Sequence, residues 1–132
     1  MVRQREPRLT AASEKYLEAI FRIEKKNGEV RVTDLAKKLG LKKGTVSGTV
    51  KALKIRNVID YTPYRSIRLT AEGHVMAKRI VRRNRILEQF LSEVLNIDQE
   101  TSSTAARRIG AGVDDALLDS MRGWLKMKSM KK

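Results

Sequence analysis

Cysteine is missing from this chain, and histidine occurs once, at His74. Without thiols there is no disulfide, no thiolate nucleophile and no sulfur-ligated zinc. One histidine cannot build a histidine-based catalytic or metal cluster within a single chain. No nucleophile and base can be paired from what remains, so an enzyme is not expected. No stretch approaches the roughly 18 consecutive apolar residues of a membrane span. No apolar segment follows the basic start MVRQREPR, so a secretory signal is not expected either and a cytoplasmic location is. Acidic residues are the remaining shortage: 15 Asp+Glu face 29 Lys+Arg, a formal net charge of +14.

That excess is unevenly spread. Residues 1–70 carry 17 Lys/Arg against 7 Asp/Glu, whereas residues 71–100 balance at 5 against 5 and residues 101–132 carry 7 against 3. A basic first half attracts a polyanion such as DNA through phosphate neutralisation and counterion release. The length of 132 residues and a hydrophobic content of 41% suit one typical domain with a core of its own.

After a polar arm with Pro7, AASEKYLEAIFRIEKK places Tyr16, Leu17, Ile20, Phe21 and Ile23 at helical spacing, and Asn27-Gly28 ends the pattern. Thr33 is the expected N-cap of DLAKKLG, a short helix closed by Gly40. A turn then leads into KKGTVSGTVKALKIRN, where Val46, Val50 and Leu53 point inward together and Thr45, Ser47, Thr49, Lys51 and Lys54 stay on outer faces. Two helices joined by a tight glycine-containing turn form a helix-turn-helix pattern. In VIDYTPYRSIRLT the alternation of Ile59 and Tyr61 with Asp60 and Thr62, the turn at Pro63–Ser66 and the return through Ile67, Arg68 and Leu69 predict a β-hairpin. The two motifs in succession predict a winged helix.

The segment from Ala71 to Leu95 predicts one long helix with Ile80, Asn84, Leu87, Leu91 and Val94 in a stripe that packs on the chain's own core or against a twin. A helix over 98–109 with Asp98 as its cap follows. The last helix, over 114–127, has Leu117, Leu118, Met121, Trp124 and Leu125 on its apolar side, and Lys126–Lys132 trail off as a frayed basic tail. The expected fold is therefore mainly α: a winged helix-turn-helix over 1–70 with a small hairpin wing, then an all-α dimerisation region over 71–132.

In a DNA-binding reading the first turn of the second motif helix enters the major groove. Lys42 and Lys43 reach phosphate or guanine, Gly44 permits close backbone approach, and Thr45, Ser47 and Thr49 stand toward phosphates and base edges. Lys51, Lys54, Arg65 and Arg68 grip the DNA backbone on either side, and Thr33 completes the candidate set. Taken alone, such a face is also what a solvated lysine-rich helix looks like; the turn, the wing and the basic half together favour DNA. Other constellations are weaker. His74 reads as an exposed residue of a first helical turn. Asp114 and Asp115 sit where acids favour a helix N-terminus. Gly110-Ala111-Gly112 follows no strand and lacks a trailing Lys-Ser/Thr, so it matches no nucleotide-binding fingerprint.

The stretches KYLEAI, GTVSGTV with RLTAEG, and RRNRILEQFL resemble the diphtheria toxin repressor and manganese transport regulator family from about Glu14 to Met121. The resemblance implies a homodimeric winged-helix repressor of a palindromic operator in double-stranded DNA. It implies Mn(II) or Fe(II) bound between the first helix and the dimerisation helices. Larger members carry a C-terminal barrel that a chain of this length is expected to lack. Carried across residue by residue, the family's ligand positions fall on Lys15, Glu18, Asn84, Glu88, Arg107, Gly110 and Ala111, of which only Glu18 and Glu88 can bind a hard cation. The expectation is a metal-independent relative with no cofactor, in which Lys15 and Arg107 approach the metal's place and Glu18 and Glu88 pair with them. The alternatives are a Mn- or Fe-responsive repressor with a rearranged site, and a protein-interaction module that reuses the dimer helices.

Overall fold

The computed structural model describes residues 9–130, so the expected arm with Pro7 and the two terminal lysines lie outside the described residues. Helix α1 (Ala11–Asn27) starts at Thr10, whose hydroxyl oxygen accepts from the Ser13 N–H at 3.0 Å. It stops at Gly28, whose φ of 77° lies in the left-handed region open to glycine. Helix α2 (Val32–Leu39) begins earlier than expected. Arg31, not Thr33, is its N-cap and makes no side-chain capping bond. The reason is tertiary: Val30 is buried and bridged to Ile67, and the chain turns straight from that bridge into the helix.

Gly40, again left-handed, closes α2, and Leu41 and Lys42 lead into α3 (Lys43–Ile55). The spacing of Val46, Val50 and Leu53 does what it predicts: all three are buried. Strands β1 (Ile59–Asp60) and β2 (Arg68–Leu69) pair antiparallel, Ile59 opposite Leu69 and Asp60 opposite Arg68. This wing is shorter than the alternation suggests, and two such strands are too short to stand alone. They are held because Ile59, Tyr61, Ile67 and Leu69 are buried, because the Ile67 N–H donates to the Val30 carbonyl at 2.7 Å, and because Lys54 Nζ donates to the Tyr61 carbonyl at 2.7 Å.

Helix α4 (Ala71–Gln89) is capped by Thr70, and its last turn, Phe90–Val94, widens into π-helix, so the expected single helix changes character near its end. Helix α5 (Gln99–Gly110) is capped by Asp98 as expected, the carboxylate accepting from the Thr101 N–H at 3.0 Å. Hydrogen bonding from Thr101 holds the Asp98 carboxyl below its usual range. Asp114 accepts from the Leu117 N–H at 2.8 Å at the start of α6 (Asp115–Met130). The expected frayed tail is corrected here: residues up to Met130 are helical, and Lys128 Nζ donates to the Glu93 carbonyl, tying α6 back to the end of α4.

The main core gathers Leu17, Ile20, Leu35, Val46, Val50, Leu53, Ile59 and Ile67, and Ala77 and Ile80 of α4 join it. The core therefore runs across the expected division at 70/71. Outside that cluster, Val81, Ile86, Leu87, Leu91 and Ala106 are buried along α4 and α5, which pack on each other. None of α6 is buried.

Candidate nucleic-acid interface and the junction behind it

The residues singled out for DNA fall on one motif and its wing. Thr33, Lys42, Lys43, Gly44, Thr45, Lys51, Lys54, Arg65 and Arg68 are exposed, and Ser47 and Thr49 are partly buried. Two features make the start of α3 receptive to anions. Its cap residue Lys42 makes no side-chain bond into the first turn, and that turn holds no acidic residue. Its first backbone N–H groups are thus left open at the positive end of the helix dipole, beside two lysines. Gly44 and Gly48 lie one turn apart on this helix, and a Cβ on either would meet nothing within 4 Å. Glycine costs a helix interior about 1 kcal/mol relative to alanine, and the fold itself does not require it at these positions. Gly48 was not among the residues legible in the sequence; its spacing from Gly44 is the signal that could have found it.

At the tip of the wing Tyr64 is fully exposed with φ 67°, and Arg65 stands beside it in a turn closed by its own N–H to the Thr62 carbonyl at 2.9 Å. Lys54 is the one candidate with a structural task, since its ammonium pins the base of the wing. No helix among the described residues is long and apolar enough to cross a membrane.

Behind this face, α1, α4 and α5 meet in a chain of charged groups. Glu18 is 4% exposed. Its Oε1 accepts from Arg107 Nη2 at 2.7 Å and from Arg107 Nε at 2.9 Å, and its Oε2 accepts from Asn84 Nδ2 at 2.9 Å. Arg107 Nη1 donates in turn to the Ser103 hydroxyl at 2.6 Å. Arg83 forks onto Glu14, Nη2 to Oε1 at 2.8 Å and Nη1 to Oε2 at 3.2 Å, and also donates to Asn84 Oδ1. Asn84 thus has both ends of its amide engaged, which is how a polar group is tolerated inside the apolar stripe of α4.

Of the pairings expected at the metal's place, Arg107 with Glu18 is formed. The other two are corrected. Lys15 is exposed and forms no ion pair among the described residues. Glu88 lies farther along α4 and accepts from Gln99 Nε2 at 3.0 Å, because α5 begins beside it. The second cation of the junction is instead Arg83, with Glu14 as its partner. Gly110 has a role of a different kind: a Cβ there would come 2.5 Å from Arg83 Nε, so a larger residue would have to displace the guanidinium. Ala111 is partly buried next to it. His74 is also not merely exposed, since its Nε2 stands 3.0 Å from Glu24 Oε1 and its ring meets Phe21 edge-on, linking α4 to α1. Among the described residues no group of three His, Cys, Asp or Glu side chains converges.

Residues 8–67 match the family model described as the N-terminal DNA-binding domain of the iron-dependent repressors, and residues 70–127 match that family's metal-binding and dimerisation domain. An uncharacterized HTH-type transcriptional regulator of Methanocaldococcus jannaschii, MJ0568, is 31% identical over 115 residues, covering 86% of this chain and 92% of its own. The transcriptional regulator MntR of Escherichia coli O6:H1 is 34% identical over 107 residues, covering 81% of this chain and 68% of its own. Among solved structures, that of the manganese regulator SloR superposes with a TM-score of 0.78 at 23% identity; the match covers 89% of this chain and spans 55% of that one.

Proposed function

Because the chain belongs to the iron-dependent repressor family, we propose that it is a DNA-binding transcriptional repressor that acts as a homodimer in the cytoplasm, with no enzymatic step of its own. Residues 1–70 read a palindromic operator and residues 71–132 hold the dimer. Lys42, Lys43 and the open N–H groups of α3 take phosphate, Thr45, Ser47 and Thr49 face base edges, and Lys51, Thr33 and the wing residues Arg65 and Arg68 hold the flanking backbone. Lys54 sets the wing's position. The dimer reading draws support from α6, where Leu117, Trp124 and Met127 are 48%, 52% and 60% exposed on a helix that buries nothing of its own. Apolar exposure on that scale marks an interaction surface.

The family's second domain is described as metal-binding, so a divalent cation is the family's default at this junction. The donor set here does not fit one. The only buried carboxylate among the described residues, Glu18, has both oxygens taken, by Arg107 and by Asn84, and the neighbouring Arg83 adds a second guanidinium. Hard cations need several free oxygen or imidazole donors and no competing positive charge. The finer reading is that the protein supplies its own cation and binds DNA without metal. The observation that carries it is the Arg107–Glu18 pair at 2.7 Å, with the Glu18 side chain 5% exposed.

A shift assay on the chain's own promoter, run with chelator and with Mn(II), tests both parts. Equal retention in the two conditions is the expected result. Retention only after Mn(II) is added overturns metal independence in favour of a rearranged metal site. Failure to bind DNA under either condition overturns the repressor reading and favours a protein-interaction module.

A further inference from the structure

A cleft of about 320 Å3 opens between the first turn of α1 and α5, beside the charged junction. Its charges cancel incompletely. Arg83 is matched by Glu14 and Arg107 by Glu18, which leaves Lys15 and Arg108 on the lining with no carboxylate partner among the described residues. Ala11 and Ala12 line the same cleft, and the Thr10 cap serves Ser13, so their backbone N–H groups at the positive end of α1 are not capped by it.

A surplus of two cations, an ammonium and a guanidinium, on the lining of a small volume is a donor set for oxyanions. A metal ion or an apolar ligand would meet uncompensated positive charge there. The volume lies at the small end of ligand sites, which suits a compact ligand. We propose that this cleft binds a compact phosphate-type polyanion, held between Lys15 on α1 and Arg108 on α5. Resting on the repressor reading, the bound anion acts as an effector: it adds a link between α1 and α5, in parallel with the Arg107–Glu18 pair, and so favours the arrangement that presents α3 and the wing.

The test uses the full chain and inorganic pyrophosphate as probe, with ionic strength held constant by sodium chloride. Calorimetric titration should show saturable binding that includes one site per chain lost in the cleft variant. The double variant Lys15→Gln/Arg108→Gln should bind at least about tenfold more weakly, as expected for the loss of two charge-assisted contacts. Both positions are exposed and outside the ion pairs, so the variant should fold as the wild type does. The charge-matched variant Lys37→Gln/Lys38→Gln, on the exposed side of α2 and away from both the cleft and the reading face, should leave pyrophosphate binding unchanged. Equal weakening by the two double variants, or no weakening by the first, overturns the site in favour of diffuse attraction to a chain of charge +14. The effector role is tested separately. Pyrophosphate should strengthen operator binding of the wild type and not of Lys15→Gln/Arg108→Gln; unchanged or weakened binding overturns that role. A chain that takes pyrophosphate in the cleft yet never binds DNA keeps the anion site and loses the repressor reading.

Discussion

Arg107 and Glu18 form a pair in which one side chain is nearly inaccessible, and the energetic consequence is asymmetric. Replacing Arg107 with Ala strands the Glu18 carboxylate in the interior with only Asn84 as a donor, at a cost of about 3 kcal/mol. A loss of unfolding free energy of that size, read from chemical denaturation, is expected, with operator affinity falling alongside. The neutral pair Glu18→Gln/Arg107→Met should recover most of the lost stability, because a buried ion pair repays little more than its own desolvation. Unchanged operator affinity in Arg107→Ala would sink the idea that this guanidinium does the work of a metal. Gly110 offers a second measurement. In Gly110→Ala the new methyl would stand 2.5 Å from Arg83 Nε and push the guanidinium off Glu14, destabilising the chain by about 1–3 kcal/mol. With Arg83 already replaced by Ala, the same change should be neutral or stabilising by up to about 1 kcal/mol. Denaturation of the four proteins gives the coupling directly. Arg107, Glu18, Asn84 and Gly110 were brought together by resemblance alone; Arg83 was not, because nothing in its spacing sets it apart from the other arginines of α4.

Among the elements, α3 states its task through residues that its own packing does not need. Gly44 and Gly48 face open space. Gly48→Ala should therefore stabilise the free protein by about 0.5–1 kcal/mol while lowering operator affinity, since the added methyl stands where DNA would approach. A stability gain with affinity unchanged would show that close approach is not why glycine is there. The buried side of α3 was fully legible, because three apolar residues at helical spacing admit one inward face. The wing was legible in kind but not in extent. Its strands are two residues each, and what holds them, Val30 and Lys54, lies 37 and 13 residues before Ile67 in the chain, beyond the reach of local alternation.

At the scale of the molecule, α6 is the element with the most unfinished packing. Trp124 is 52% exposed and Met130 77%, and the helix buries no residue of its own. If a second copy covers this face, Trp124→Lys should shift sedimentation equilibrium toward monomer at micromolar concentration while leaving the helical signal intact. Operator affinity should fall with the dimer, since each chain then holds only a half-site. A dimer as strong as the wild type's would place the interface elsewhere.

By itself the sequence determined the basic first half, the helix-turn-helix with its wing, the buried stripe of α4 and the caps at Asp98 and Asp114, because each of these rests on local spacing, turn chemistry or summed charge. The tertiary structure alone decided which arginine meets which glutamate, that residue 110 lacks a side chain where the Arg83 guanidinium lies, and that Lys15 and Arg108 have no acidic partner among the described residues across a cleft. Those outcomes depend on groups separated by 27 to 93 residues in the chain being brought to one junction, and no periodicity encodes such a meeting.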